Sequence, residues 1–111
     1  MIKCSSQETP FETDFTNGRY TGKSDAPKEK GGGEAGFNPH ELLEAALACC
    51  LNIRLRMYAQ EHHIPLEHLT ASVTLEHPNP DESVFQYALE FKGPLTAEQR
   101  QELLHATHLC P

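Results

Sequence analysis

Phe37-Asn-Pro-His-Glu-Leu-Leu-Glu-Ala-Ala-Leu-Ala-Cys-Cys-Leu-Asn-Ile-Arg-Leu-Arg-Met-Tyr-Ala59 is the stretch on which the fold turns. Asn38 suits a helix N-cap, Pro39 suits the first turn, and Glu41 completes the spacing of a capping box. Good helix formers then run from Leu42 to Ala59, and Pro65 sets the C-terminal limit. The pattern predicts a central helix over residues 38–62, roughly 35 Å long at 1.5 Å per residue. A globule of this chain length is only about 34 Å across, judged from its radius of gyration. The helix should therefore cross the whole domain. Its middle turns are apolar on nearly every face, which predicts burial on every side. One short chain struggles to surround such a helix, and a partner subunit would do so.

Composition supports that reading. The 111 residues are 38% hydrophobic and 7% aromatic, with no tryptophan. That is lean for a stand-alone domain and favours a homodimer that completes its core across an interface. Nine Lys and Arg against sixteen Asp and Glu give a net charge of −7, which argues against nucleic acid or an anionic membrane as partner. The longest apolar run, Ala45 to Leu51, is far short of the ~20 residues of a membrane span. The polar N-terminus has no signal-peptide core. Four cysteines in an unexported chain read as mostly reduced thiols, so a cytoplasmic location is expected.

Either side of the helix the chain reads as α+β, one domain over residues 1–111. Residues 1–10 are a loose arm or a frayed first strand. Residues 11–23 form an N-terminal hairpin, because Asn17-Gly18 between Phe/Thr- and Tyr/Thr-bearing runs is the signal of a turn whose two central residues take positive φ. Residues 24–37 are a glycine-rich loop that could serve as a lid. After the helix, Ala71, Val73 and Leu75 alternate on one face. Phe85, Tyr87, Leu89 and Phe91 do the same beyond a turn with two prolines, giving a hairpin over 69–92. Thr96 with Gln99 opens a C-terminal helix over 96–109.

Candidate chemistry narrows quickly. Gly31, Gly33 and Gly36 match G-x-G-x-x-G, but no strand precedes them, so a loop feeding a capped helix is the better reading. His105, His108 and Cys110 fit no compact zinc pattern, and Cys-x-x-Cys is absent, so no metal is expected. The cysteines are more informative. Cys4 lies in the polar arm. Cys49 and Cys50 lie in the apolar run and project about 100° apart, so at most one faces any given site. Arg54, one turn beyond Cys50, would favour a thiolate there. Periodicity leaves the choice between the two open, and core packing competes with both. Cys110, just before Pro111, is a candidate second thiol.

At these residues the sequence resembles the osmotically inducible protein C / organic hydroperoxide resistance (OsmC/Ohr) family, and its OsmC-like branch in particular. The family also opens a long helix with Asn/Ser-Pro-x-Glu-Leu-Leu and carries a cysteine eleven residues after the proline. Pro39 and Cys50 have that spacing, so the resemblance selects Cys50 over Cys49. The Ser24-Asp-Ala-Pro-Lys-Glu-Lys-Gly-Gly run and the closing Leu-Cys110-Pro111 are similar too. The resemblance implies antiparallel sheets packed around a long buried central helix, in an intertwined homodimer. It also implies a thiol-dependent peroxidase acting on organic hydroperoxides in oxidative-stress defence. Cys50 would form a sulfenic acid, Cys110 would resolve it as a disulfide, and an external dithiol would act as reductant, with no bound cofactor or metal. Arg19 matches the arginine that activates the thiolate.

Two departures stand out. The hydroperoxide-resistance branch has glutamate directly after the helix-opening proline, whereas this chain has His40, with Glu41 the nearest carboxylate. His40 and Glu41 are therefore the candidate supporting residues. The substitution also motivates the alternative of a non-catalytic dimer that binds a small apolar ligand. Family members further continue past Cys-Pro into a closing strand, so a shortened chain lacking an edge strand is expected here.

Overall fold

The computed structural model describes residues 1–107, and the chain divides into two compact units, Met1–Leu43 and the part from Glu44 onward. The first unit is built on a three-stranded antiparallel sheet in the order β1 (Lys3–Ser6), β2 (Thr13–Thr16) and β3 (Thr21–Ser24). The polar arm thus contributes a paired strand, with Cys4 opposite Phe15.

The β2–β3 turn differs from the expected two-residue hairpin. Only Gly18 takes positive φ, at 99°, and the connection spans residues 17–20. Asn17 keeps ordinary backbone because its side-chain oxygen accepts the amides of Arg19 and Tyr20, both at 2.9 Å. A side-chain cap of this kind replaces the left-handed backbone of a primed turn. On the sheet, Lys23 Nζ donates to Glu12 Oε1 at 2.5 Å and pairs with Asp14 Oδ1 at 3.1 Å. These acidic neighbours, Glu12 first, raise the Lys23 pKa.

The second unit contains most of α1 (Pro39–Glu61), the hairpin β4 (His68–Asn79) and β5 (Glu82–Lys92), and α2 (Ala97–Ala106). Its core joins Leu55 and Ala59 of α1, Ile64 and Leu69, and Leu103 and Ala106 of α2, with Leu89, Phe91 and Leu95 packed against them. The hairpin pairs Leu69 with Phe91, Ala71 with Leu89 and Val73 with Tyr87, so the expected apolar alternation forms one face. Helix α2 opens with the expected Thr96–Gln99 capping box, each side chain accepting the other's backbone amide at 3.1 Å.

Two side chains of α1 close the outer edge of β4. Glu44 Oε2 accepts the Leu75 amide at 2.8 Å, and Asn52 Nδ2 donates to the Leu69 carbonyl at 2.9 Å. Unpaired strand-edge groups are thereby satisfied by the helix rather than by another strand. The C-terminal end of α1 is also built without glycine. His63 takes φ 54°, and the Ile64 amide reaches back to the Ala59 carbonyl at 2.8 Å, as at many helix ends.

Burial of α1 departs from expectation. Within the chain only Leu51, Leu55 and Ala59 of this helix are buried, while Leu43, Ile53 and Met57 are each more than half exposed. The apolar residues do encircle the helix, but one chain supplies cover for a single stripe. Among the described residues no helix is long and apolar enough to cross a membrane.

Candidate functional site

Local chemistry builds the start of α1 as the sequence implies. Asn38 Oδ1 accepts the Glu41 amide at 2.9 Å, and Glu41 Oε1 accepts the Asn38 amide at 3.1 Å. The candidate supporting carboxylate Glu41 is therefore engaged as a helix cap. It also lines, with Asp25, Glu34 and Phe37, a hollow of about 320 Å³ in the first unit. His40 is exposed and borders a second hollow with Pro27 and Lys30. Arg19 is exposed in the β2–β3 turn, its guanidinium carbon 5.8 Å from the centre of the Tyr20 ring.

Asp25, which the sequence reading passed over, organises the glycine-rich loop. It is only 3% exposed. One oxygen accepts the Ala26 amide at 2.7 Å, and the other accepts those of Gly33 at 3.2 Å and Ala35 at 3.1 Å. These bonds, that of Ala35 first, hold its carboxyl below the ordinary 3.8 against the opposing effect of burial. The expected glycine-rich loop is thus wrapped around a buried carboxylate, with one turn of 3₁₀ helix at Lys28–Lys30. An aspartate placed before a run of otherwise unpaired loop amides was the available signal.

The two adjacent cysteines occupy different surroundings. Cys49 is exposed and a free thiol, beside a hollow of about 340 Å³ lined by Ala48, Asn52, Ile53 and Ala71. Cys50 is half-buried and is not a free thiol. The packing of Leu51 and Leu55 fixes the rotation of α1, and that rotation decides which neighbour turns inward. Arg54, one turn beyond Cys50, is exposed and borders a hollow of about 210 Å³ with Tyr58, Glu61 and His62. Arg19, His40 and Glu41 lie in the first unit and Cys50 in the second. Cys110 and His108 lie outside the described residues, and among the described residues no group of three potential ligands could hold a metal ion.

A tyrosine–carboxylate contact also escaped the sequence reading. Tyr58 Oη donates to Glu102 Oε2 at 2.8 Å, joining α1 to α2, while its ring stacks on His62 with centroids 4.1 Å apart. The Glu102 carboxylate, followed by burial, raises the Tyr58 pKa. Residues 44 positions apart in sequence carry no periodic signal of such a contact.

Comparison with known proteins now places the chain. A family model described as OsmC-like protein matches residues 31–111. No curated protein sequence matches at a significant level. Among solved structures the chain is similar to an OsmC-like protein from Mycoplasma pneumoniae, with a TM-score of 0.84 at 20% identity, covering 100% of this chain and 82% of that one. It is also similar to an organic hydroperoxide resistance protein OsmC from Legionella pneumophila (TM-score 0.70, 22% identity, 100% and 83% covered). The organic hydroperoxide resistance protein OhrB of Bacillus subtilis gives 0.67 at 24% identity, with 100% and 86% covered. At these identities the likeness is one of fold, and the family model supplies the membership. The chain belongs to the OsmC-like protein family.

Proposed function

We propose that this protein is a thiol-dependent peroxidase that reduces organic hydroperoxides, with Cys50 as the attacking thiol and Cys110 as the resolving one. The observation that carries the reading is the contrast at the cysteine pair: Cys50 is half-buried and engaged, whereas Cys49 beside it is exposed and free. Family membership and a likeness to proteins named for organic hydroperoxide resistance support a redox role in stress defence.

The chemistry balances with a dithiol as sole reductant. The Cys50 thiolate attacks the O–O bond, takes one oxygen as sulfenic acid and releases the alcohol once a proton is supplied. The Cys110 thiol then displaces hydroxide from that sulfur, forming a disulfide and water. A dithiol exchanges with the disulfide and restores both thiols. No metal or flavin enters. Arg19 favours the thiolate in this reading, and Glu41 and His40 support it. The working protein is a cytoplasmic homodimer in which the exposed Leu43, Ile53 and Met57 meet a partner copy.

Mass spectrometry after one equivalent of tert-butyl hydroperoxide should find a Cys50–Cys110 disulfide, and Cys50→Ser should abolish hydroperoxide consumption. Full activity in Cys50→Ser would end the proposal. The hollow beside Cys49 favours one second reading, a dimer that binds a small apolar ligand without catalysis. That reading requires cysteines no faster with maleimide than a free thiol and a melting temperature raised by an apolar ligand.

A further inference from the structure

The proposed redox chemistry leaves one hollow of the second unit without a role. It has a volume of about 210 Å³ and is lined by Arg54, Met57, Tyr58, Glu61 and His62 at the end of α1, and by Ala106 of α2. Its wall is fixed before any ligand arrives. Tyr58 Oη donates to Glu102 Oε2 of α2 at 2.8 Å, and its ring stacks on His62 with centroids 4.1 Å apart and planes 27° apart. Ala106 is buried in the core, and Thr107 after it is also buried, its Oγ1 donating to the Leu104 carbonyl at 2.7 Å. A wall held in this way costs little to order when a molecule binds.

Two opposite charges border this wall. Arg54 and Glu61 are both exposed, and among the described residues neither takes part in an ion pair. They are poorly placed to serve one another. Seven residues apart, they are separated by about 10 Å of helix rise, whereas ion pairs along a helix join residues three or four apart. Seven residues is also close to two turns, so both lie on one face of α1. The other carboxylate nearby, Glu102, is already engaged by Tyr58. Glu61 is the last residue of α1, where the helix dipole favours a cation. Arg54 offers the planar fork that suits a carboxylate. Between the two lie the Tyr58 ring and the apolar Met57 and Ala106.

We propose that this hollow binds a small zwitterion: a molecule with a flat apolar body against Tyr58, its carboxylate on Arg54 and its ammonium group on Glu61. The distance between the two residues calls for charges at opposite ends of the molecule rather than on one carbon. The hollow is smaller than the ~300–1,000 Å³ of drug-sized sites, so the ligand is correspondingly small. Every group named lies in the second unit, and the inference stands apart from the peroxidase reading.

The test is a titration of the isotope-labelled full chain with para-(aminomethyl)benzoate, followed by NMR. Para-methylbenzoate and benzylamine, which each keep one of its two charges, are titrated in parallel. The zwitterion should bind with a Kd on the order of 1 mM and shift amides of residues 54–62 and 103–107. Each single-charge probe should bind about fivefold more weakly, the factor of an exposed ion pair at the upper end of its usual strength. Arg54→Gln should weaken the zwitterion about fivefold and leave benzylamine unchanged. Glu61→Gln should weaken it equally and leave para-methylbenzoate unchanged. Both residues are exposed, so these changes spare the core. Absence of saturable binding, or shifts centred elsewhere on the chain, overturns the proposal. So do variants that bind the zwitterion as the wild type does. Loss of all three probes in either variant overturns it as well, because that marks a change of structure rather than the removal of one charge.

Discussion

Leu103→Ala is the sharpest test of how α2 is seated. Leu103 is 0% exposed and packs in a core with Leu55, Ala59, Ile64, Leu69 and Ala106. Replacing it removes most of a fully buried side chain and leaves a cavity that neighbouring elements only partly fill. Such changes cost ~3 kcal/mol or more. For a domain of this size that corresponds to a fall in melting temperature of about 15 °C, or a urea midpoint lower by roughly 1.5 M. Leu104 is the built-in control, since it has the same side chain one residue on but is 46% exposed. Leu104→Ala opens no cavity and should cost only ~0.5 kcal/mol. Urea unfolding followed by far-UV circular dichroism reads both. Repeating it at about tenfold different protein concentration separates any contribution from a partner copy, which would vary with concentration. Equal losses at the lower concentration would refute the assigned face of α2, and with it the placement of Glu102 and Thr107.

Two further predictions probe the loop and the end of α1. Because the Asp25 carboxyl is held below its ordinary 3.8 by the Ala35, Ala26 and Gly33 amides, the unfolded chain takes up its proton first as pH falls. Its contribution is complete above pH 3.8 and is lost as pH drops through the lower folded value. Asp25→Asn should be less stable near neutrality and should lack that part of the acid dependence; midpoints of equal pH slope in the two proteins would contradict this. His63 holds a left-handed backbone at φ 54° that a side chain disfavours. His63→Gly should raise stability by ~1 kcal/mol, since glycine reaches that conformation without the Cβ clash, although greater freedom in the unfolded chain subtracts from the gain. A lowered melting temperature would show that the His63 side chain contributes more than its backbone strain costs.

Local chemistry made much of the fold legible in the chain. Asn38 and Glu41 form the cap that their spacing announces, Thr96 and Gln99 form the other, and the Phe85–Phe91 alternation becomes one face of β5. These signals are short-range: a cap or an alternating strand is written in residues within a few positions of one another. The Asn17-Gly18 turn was legible in place but not in type, because the Asn17 side chain rather than its backbone closes it. The resemblance at Pro39 and Cys50 likewise identified the family from a local motif.

The order of the main elements was thus written in the linear chain. Which side of α1 is covered was not, and packing settled it. Apolar residues encircle that helix, so no periodicity could pick Leu51, Leu55 and Ala59 as the buried stripe or turn Cys50 rather than Cys49 inward. Only contact with β4 and α2 sets the rotation. The same holds for Asp25 beneath the glycine-rich loop, Glu44 and Asn52 along the edge of β4, and Tyr58 on Glu102. Each joins residues distant in sequence, and a polar partner across that distance is defined by burial and direction, which a linear pattern does not encode.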